Sequence, residues 1–315
     1  MNQTAPTFDP SPVSSDERRE ALRLQLVARA ASLIGTAARC TTSMPGLTLY
    51  RYTAPTAPEP VTYAPSVAVV VQGRKRVTLE RTHFDYDASR FLLTSIDLPV
   101  TSQVVEASPE LPYLCVRLTL DIAVVRDVLA TAPPLPPGPR STAPGMATAH
   151  TNAALLDAFC RLLDLQEAPQ DIGFMYGLIQ REIVFRILQC PEGQRVREVA
   201  TLGANRQRAA KAVEWIRDHY TEPLRMDALA RVACMGVSTL HHHFRILTSM
   251  TPLQYQKQLR LHEARRRMLL DDLDAASAAF EVGYESASQF NREYSRAFGQ
   301  PPLRDVRALR GAGQG

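Results

Sequence analysis

The amino-acid sequence predicts an α+β chain: an N-terminal jelly-roll-like (cupin-like) β domain with flanking helices, then an all-α domain of two helix-turn-helix units joined by a long helix. Three observations carry this expectation. Short β-branched or alternating runs recur every 8–12 residues or so between Tyr50 and about Asp121, as the strands of a sandwich or barrel do. From Arg206 onward the apolar spacing is helical. Within that helical region, a shift of 50 residues lays one half on the other, the mark of an internal repeat.

Taken in order, the lead at 1–15 is polar and proline-rich and is expected to be disordered. "DERREALRLQLVARAASLIG", Asp16 to Gly35, spaces Leu22, Leu26, Ala30 and Leu33 at helical intervals and predicts an amphipathic helix. The β-rich stretch, about 50–125, holds "VAVVVQG", "RKRVTLE", "FLLTSI", "TSQVVE" and "YLCVRLTL", parted by turn residues such as Pro65, Gly73 and Asp97–Pro99. A barrel built from them has an interior open to a ligand. "TAPPLPPGPR", Thr131 to Arg140, cannot be helical and is expected to be a loop or linker. In the helical stretch at about 150–190, Ala153–Leu165 and Asp171–Leu188 carry wide apolar faces, suited to covering the β domain or meeting another subunit.

Under the shift, Val232 falls on Val282, Ser238 on Ser288, Leu240 on Phe290, Phe244 on Tyr294 and Pro252 on Pro302. Each copy is an Ala-rich helix ("MDALARVAC" and "AASAAFEV"), a turn with glycine (Gly236 and Gly283) and a second helix. One such pair is commonplace, whereas two in register predict a pair of DNA-reading heads. At about 100° per residue, Val237, Leu240, Phe244 and Leu247 form a buried stripe, and Ser238, His241, His242 and Arg245 face away as base-reading candidates. Consecutive histidines diverge on a helix, so His241, His242 and His243 do not jointly form a metal site, and no metal is expected. In the second copy Phe290, Tyr294, Ala297 and Phe298 pack inward, leaving Ser288, Asn291, Arg292, Ser295 and Arg296 outward. An Arg so placed can bond guanine O6 and N7 together.

Ser286 with Gln289, and Thr251 with Gln254, are capping-box pairs. The helix opened by Thr251-Pro252 runs roughly 19 residues, about 28 Å, enough to hold two reading heads roughly one DNA turn apart. Along it Arg265, Arg266 and Arg267 are phosphate-contact candidates, although an ordinary exposed basic run has the same sequence.

"AAFEVGYESASQFNREYSRAFGQPP", Ala278 to Pro302, resembles the signature of the AraC/XylS family of transcription regulators, and "LARVACMGVSTLHHHF" with "TPLQYQKQLRL" resembles that family's first helix-turn-helix. "YAPSVAVVVQGRKRV" and "LPVTSQVVEASPELPYLCVRL" are similar to the N-terminal domain of one AraC subfamily. The resemblance implies an effector-sensing or dimerisation domain over 16–200, a double helix-turn-helix reader over 206–310, contact with RNA polymerase, and a homodimer acting as an activator on double-stranded DNA. The chain departs from the pattern where Gly236 replaces a serine cap, Ser249 a terminal glycine, and Ala275 and Ala278 larger aliphatics. A less sharply defined first head is the expected consequence.

Charge agrees with a polyanion partner, or with an ordinary solvated helical surface. Residues 206–315 hold 17 Lys and Arg against 12 Asp and Glu, while the rest of the chain holds 19 against 20. The five scattered cysteines suggest neither a disulfide framework nor a cysteine-built zinc site, and with no apolar signal core and no run long enough to span a bilayer, a cytoplasmic protein without a membrane partner is expected. The competing class is a metal-free barrel enzyme or small-molecule-binding protein whose helical domain makes protein contacts. The β region offers it His83 alone as a histidine, with Cys115 and Arg117 on one strand face, and no P-loop, G-x-S-x-G or G-x-G-x-x-G motif. Those residues are the candidates for an effector site; no cofactor and no catalytic residue is expected.

Overall fold

Strand alternation sorts the N-terminal half into two sheets that share an interior. The computed structural model describes residues 14–79, 82–133, 145–202, 204–271 and 273–312, so the 1–13 lead and most of the proline-rich linker expected above lie outside the described residues. Helix α1 (Ser15–Ile34) starts on a full capping box between Ser14 and Glu17. The strands are β1 (Arg39–Thr41), β2 (Leu47–Tyr52), β3 (Glu59–Tyr63), β4 (Ser66–Gln72), β5 (Arg74–Leu79), β6 (Thr82–Asp87), β7 (Arg90–Thr94), β8 (Leu98–Glu106) and β9 (Tyr113–Thr119). Helix α2 (Ile122–Thr131) follows, then β10 (Met146–His150). All pair antiparallel, one sheet in the order β1-β2-β9-β4-β7-β10 and the other β3-β8-β5-β6.

The outer face of the six-stranded sheet, with Val67, Val69, Phe91, Leu93, Leu114 and Val116, packs under α1, α3 (Ala153–Asp164) and α4 (Ile172–Gln189). Its inner face, with Ala68, Val70, Leu92 and Cys115, meets Val77, Leu79, Tyr86, Leu98 and Val100 of the second sheet. Five strands were not among the runs named from sequence: β1, β2, β3, β6 and β10; all but β2, which starts just ahead of the stretch assigned to strands, are the edges of their sheets. An edge strand pairs on one side only and tolerates Pro60 or the polar "THFDYD", so the alternation that betrays a strand is weak there. The unexpected α2 has a β-branched sequence but is set as a helix by the Asp121 side chain, which accepts from the Ala123 N–H at 2.7 Å.

After the short α5 (Gln194–Arg197) come α6 (Ala204–Asp218), α7 (Met226–Val232), α8 (Val237–Thr248), α9 (Pro252–Leu270), α10 (Ala275–Glu281), α11 (Ala287–Phe298) and α12 (Pro302–Ala312). Helix α9 gives Tyr255 and Leu259 to a core with Leu229, Leu240 and Phe244, and Leu261, Ala264 and Met268 to a core with Ala278, Phe290 and Tyr294. Buried on opposite flanks, it serves both helix-turn-helix units.

The apolar pair α3 and α4 lies between the two halves in sequence, but packs on the outer sheet face. The halves meet elsewhere: α9 packs on β3 and β8, the Tyr255 hydroxyl donates to the Asp97 carbonyl at 3.0 Å, and Arg217 bonds the Asp97 carboxylate at 2.8 Å. The Gly145 N–H also donates to the Leu247 carbonyl of α8 at 2.7 Å.

Candidate DNA-reading surface and ligand cavity

The first head is assembled by α7 and α8. Gly236 occupies the N-cap without a side-chain bond, and Ser249 takes the left-handed conformation (φ 61°) that a terminal glycine would adopt freely, its N–H still bonding the Arg245 carbonyl at 2.8 Å. Leu240, Phe244 and Leu247 are buried. Ser238, His242 and Arg245 are exposed, His241 is half-buried, and Val237 is half-buried rather than in the core. The His242 and His243 rings meet edge to face at 5.1 Å, closer than the divergence of successive side chains suggests. Among the described residues no cluster of His, Cys, Asp or Glu could hold a metal ion.

The second head is better capped. Asp274 accepts from the Ala276 and Ser277 N–H groups at the start of α10. At α11 the Ser286 hydroxyl accepts from the Gln289 N–H, but the Gln289 side chain bonds Glu293, so half of the expected box forms. Around Thr251 and Gln254 the box is complete. Ser288, Asn291, Arg292 and Arg296 are exposed along one polar face, with Phe290 and Tyr294 buried behind. Ala297, expected inside, is exposed, and Phe298 is half-buried.

The two heads are tied together at one point. Arg260 of α9 donates to the carbonyls of Tyr220 (2.6 Å), Thr221 (3.1 Å), Glu222 (2.9 Å) and Gly283 (2.8 Å). Gly283 has φ +92°, and a Cβ there would lie 2.1 Å from the Thr221 carbonyl oxygen, so only glycine lets the 220–222 loop sit against the second turn.

Of the phosphate candidates, Arg265 is corrected by its partners. Arg265 is buried: it bonds both Asp305 oxygens at 2.7 and 2.8 Å, lies over the Phe298 ring at 4.7 Å, and shares Asp305 with the Tyr294 hydroxyl. Helical periodicity turns this position to the α11–α12 core, so it is a packing residue. Arg266 is bidentate on Glu263, and Arg267 bonds Glu263 and Glu281. Both sets of bonds are ion pairs at the surface, and Arg266 stays exposed.

A cavity of about 700 Å³ lies between the β domain and α9. Its walls include Tyr50, Tyr52, Tyr63, Lys75, Tyr86, Cys115 and Arg117 from the strands, and Leu259, His262 and Glu263 from the helix. Of the effector candidates Cys115 and Arg117 line it, whereas His83 is exposed on β6 and hydrogen-bonds Thr78 at 2.9 Å. Burial pushes the Cys115 thiol up in spite of Lys75 and Arg117 nearby, so it is not a reactive thiolate. The tyrosines and Lys75 escaped the sequence reading, although their two-residue spacing from buried strand positions was its available signal.

His262 is neutral. Burial, with Arg265 beside it, lowers its pKa to about 4 from an ordinary 6.5, against the rise from its bond to the Val61 backbone. Below pH 6.5 the unfolded chain takes up a proton here that the folded chain refuses until about pH 4, so stability falls with pH through that window. The full loss is on the order of 3 kcal/mol. Urea melts should therefore show wild type losing more stability than His262→Gln between pH 7 and 4.5; parallel losses would refute the assignment.

Residues 43–195 match the family profile described as an AraC-type transcriptional regulator N-terminus, and 229–308 match one described as a helix-turn-helix domain. The chain is 29% identical over 136 residues to the HTH-type transcriptional activator RhaS of Pectobacterium carotovorum subsp. carotovorum, 43% of this chain and 47% of that protein. It is 28% identical over 164 residues to RhaS of Salmonella paratyphi B, 52% and 58% of the two. The chain thus spans about half the length of the curated relatives it matches. In fold it is similar to ToxT of Vibrio cholerae strain SCE256. An apo form of a single-residue variant of that protein matches with a TM-score of 0.57 at 10% identity over 84% of this chain and 98% of that one, and the unsaturated fatty acid bound wild type with 0.54 at 9% over 85% and 97%.

Proposed function

Because the chain belongs to the AraC/XylS family of transcriptional regulators, matched over residues 43–195 and 229–308, we propose that it activates transcription by reading two successive major grooves with α8 and α11. The observation that carries this reading is the pair of repeated heads on one connecting helix, the second presenting Ser288, Asn291, Arg292 and Arg296 to solvent. In this reading the protein is a cytoplasmic homodimer that contacts RNA polymerase and has no catalytic role. The exposed Phe174 (76%) and Leu178 (50%) of α4 support a subunit contact. The cavity against α9 is the effector site, since a ligand there touches the helix that carries both heads.

Selection from random duplex DNA across a salt series tests the reading. A site with two elements about one helical turn apart should be enriched, and Arg292→Ala should relax preference at one position by about 1–3 kcal/mol. No enriched site, with or without a metabolite extract, would refute it.

A further inference from the structure

Alternation puts two cations inside the β domain. In β5 the inward residues Val77 and Leu79 are fully buried, so Lys75, two positions earlier, enters the same interior; the β5–β8 register shifts between Arg74 and Lys75. In β9 Leu114, Val116 and Leu118 face the helices, which turns Tyr113, Cys115 and Arg117 inward. The two strands belong to different sheets, so the cations enter one cavity from opposite walls.

Neither cation has a carboxylate partner among the described residues, and the buried Arg117 Nε has no hydrogen-bond partner. The acids of the wall are otherwise placed: Glu263 is held by Arg266 and Arg267, and Glu59 is exposed. Rings partly compensate. Lys75 Nζ lies 5.9, 5.8 and 5.7 Å from the centroids of Tyr50, Tyr63 and Tyr113, and the Arg117 guanidinium lies 5.1 Å from Tyr50. Ring faces attract a cation but do not replace the counter-charge that an enclosed ammonium or guanidinium lacks. A cationic ligand would be repelled and would find the rings taken; a neutral one would leave the imbalance standing. What the site lacks is negative charge on a group shaped for a guanidinium fork.

Building on the reading of this cavity as the effector site, we infer that its ligand is a small organic carboxylate. The carboxylate sits between Lys75 and Arg117, with the Ser102 and Tyr63 hydroxyls at hand, and the apolar body lies against Ala68, Leu92 and Leu259. Leu259 belongs to α9, so the body of the ligand, not its charge, bears on the reader.

The test is thermal stabilisation of the full chain at constant ionic strength by benzoate, phenylacetate and hexanoate, each against its amide. At least one acid should act at tenfold lower concentration than its amide, and Lys75→Met and Arg117→Met should each erase that preference. Arg76→Met, which removes an exposed cation paired with Asp85 on the other face of β5, should keep it. Ligand-free melts of each variant, with Lys75→Gln and Arg117→Gln as milder changes, verify folding. The inference fails if no acid is preferred over its amide in wild type, or if the preference survives loss of either cation. The effector reading is scored apart: a neutral metabolite fraction that alters operator binding keeps it while the carboxylate falls, and no fraction altering binding removes both.

Discussion

Arg265→Ala should disable the second reading head while the β domain stays folded. The side chains of Arg265 and Asp305 are 7% and 4% exposed, and the pair joins α9 to α12 with the Tyr294 hydroxyl of α11 bonded to the same carboxylate. Removing the guanidinium leaves a buried carboxylate with a single hydroxyl donor, which costs about 3–5 kcal/mol. Calorimetry should show a separate early transition, and DNA selection should return only the first element of the operator. A surface arginine facing phosphates would instead lose affinity on all sequences alike with no change in melting, and that outcome would contradict the buried role.

Gly283→Ala is expected to be comparably severe by another route. The new Cβ would meet backbone, the Thr221 carbonyl, at 2.1 Å, and φ +92° is strained for any L side chain. The 220–222 loop would have to lift, breaking the Arg260 bonds that hold it, for a loss on the order of 2–4 kcal/mol. Arg260→Lys is the milder companion, removing the fork while keeping charge and fold. Operators with one extra base pair between their elements provide the readout: wild type should reject them, and Arg260→Lys should bind them closer to the parent site. Equal rejection by both would mean that α9 alone sets the spacing.

The reader was legible in sequence because its two units repeat one pattern: the buried Leu240 and Phe244 of one fall on Phe290 and Tyr294 of the other, and Pro252 on Pro302. Central strands such as β4 and β9 were legible for a similar reason, since both of their faces are apolar. Edge strands were not, and neither was α2, whose β-branched run depends on one aspartate. Base-reading candidates follow from helical projection, which is a local property. Arg265 defeated the same logic, because whether an arginine on a helix flank meets solvent or Asp305 depends on a helix about 40 residues away. Lys75 was missed because "RKR" reads as solvated charge, and only the opposing sheet shows that its middle residue points inward.

A helix of 19 residues is about 28 Å long, while a turn of B-form DNA is about 34 Å. In the proposed reading, with Arg260 and Gly283 locking the heads, the protein has little freedom to adjust their spacing, and any mismatch with the groove repeat would be met by curvature of the duplex. The energy of that curvature depends on which base-pair steps lie between the two elements, and pyrimidine–purine steps yield most readily. Bases that no side chain reaches would then be selected by their flexibility, and the stiffness of the connection between α8 and α11 becomes a determinant of sequence preference in its own right.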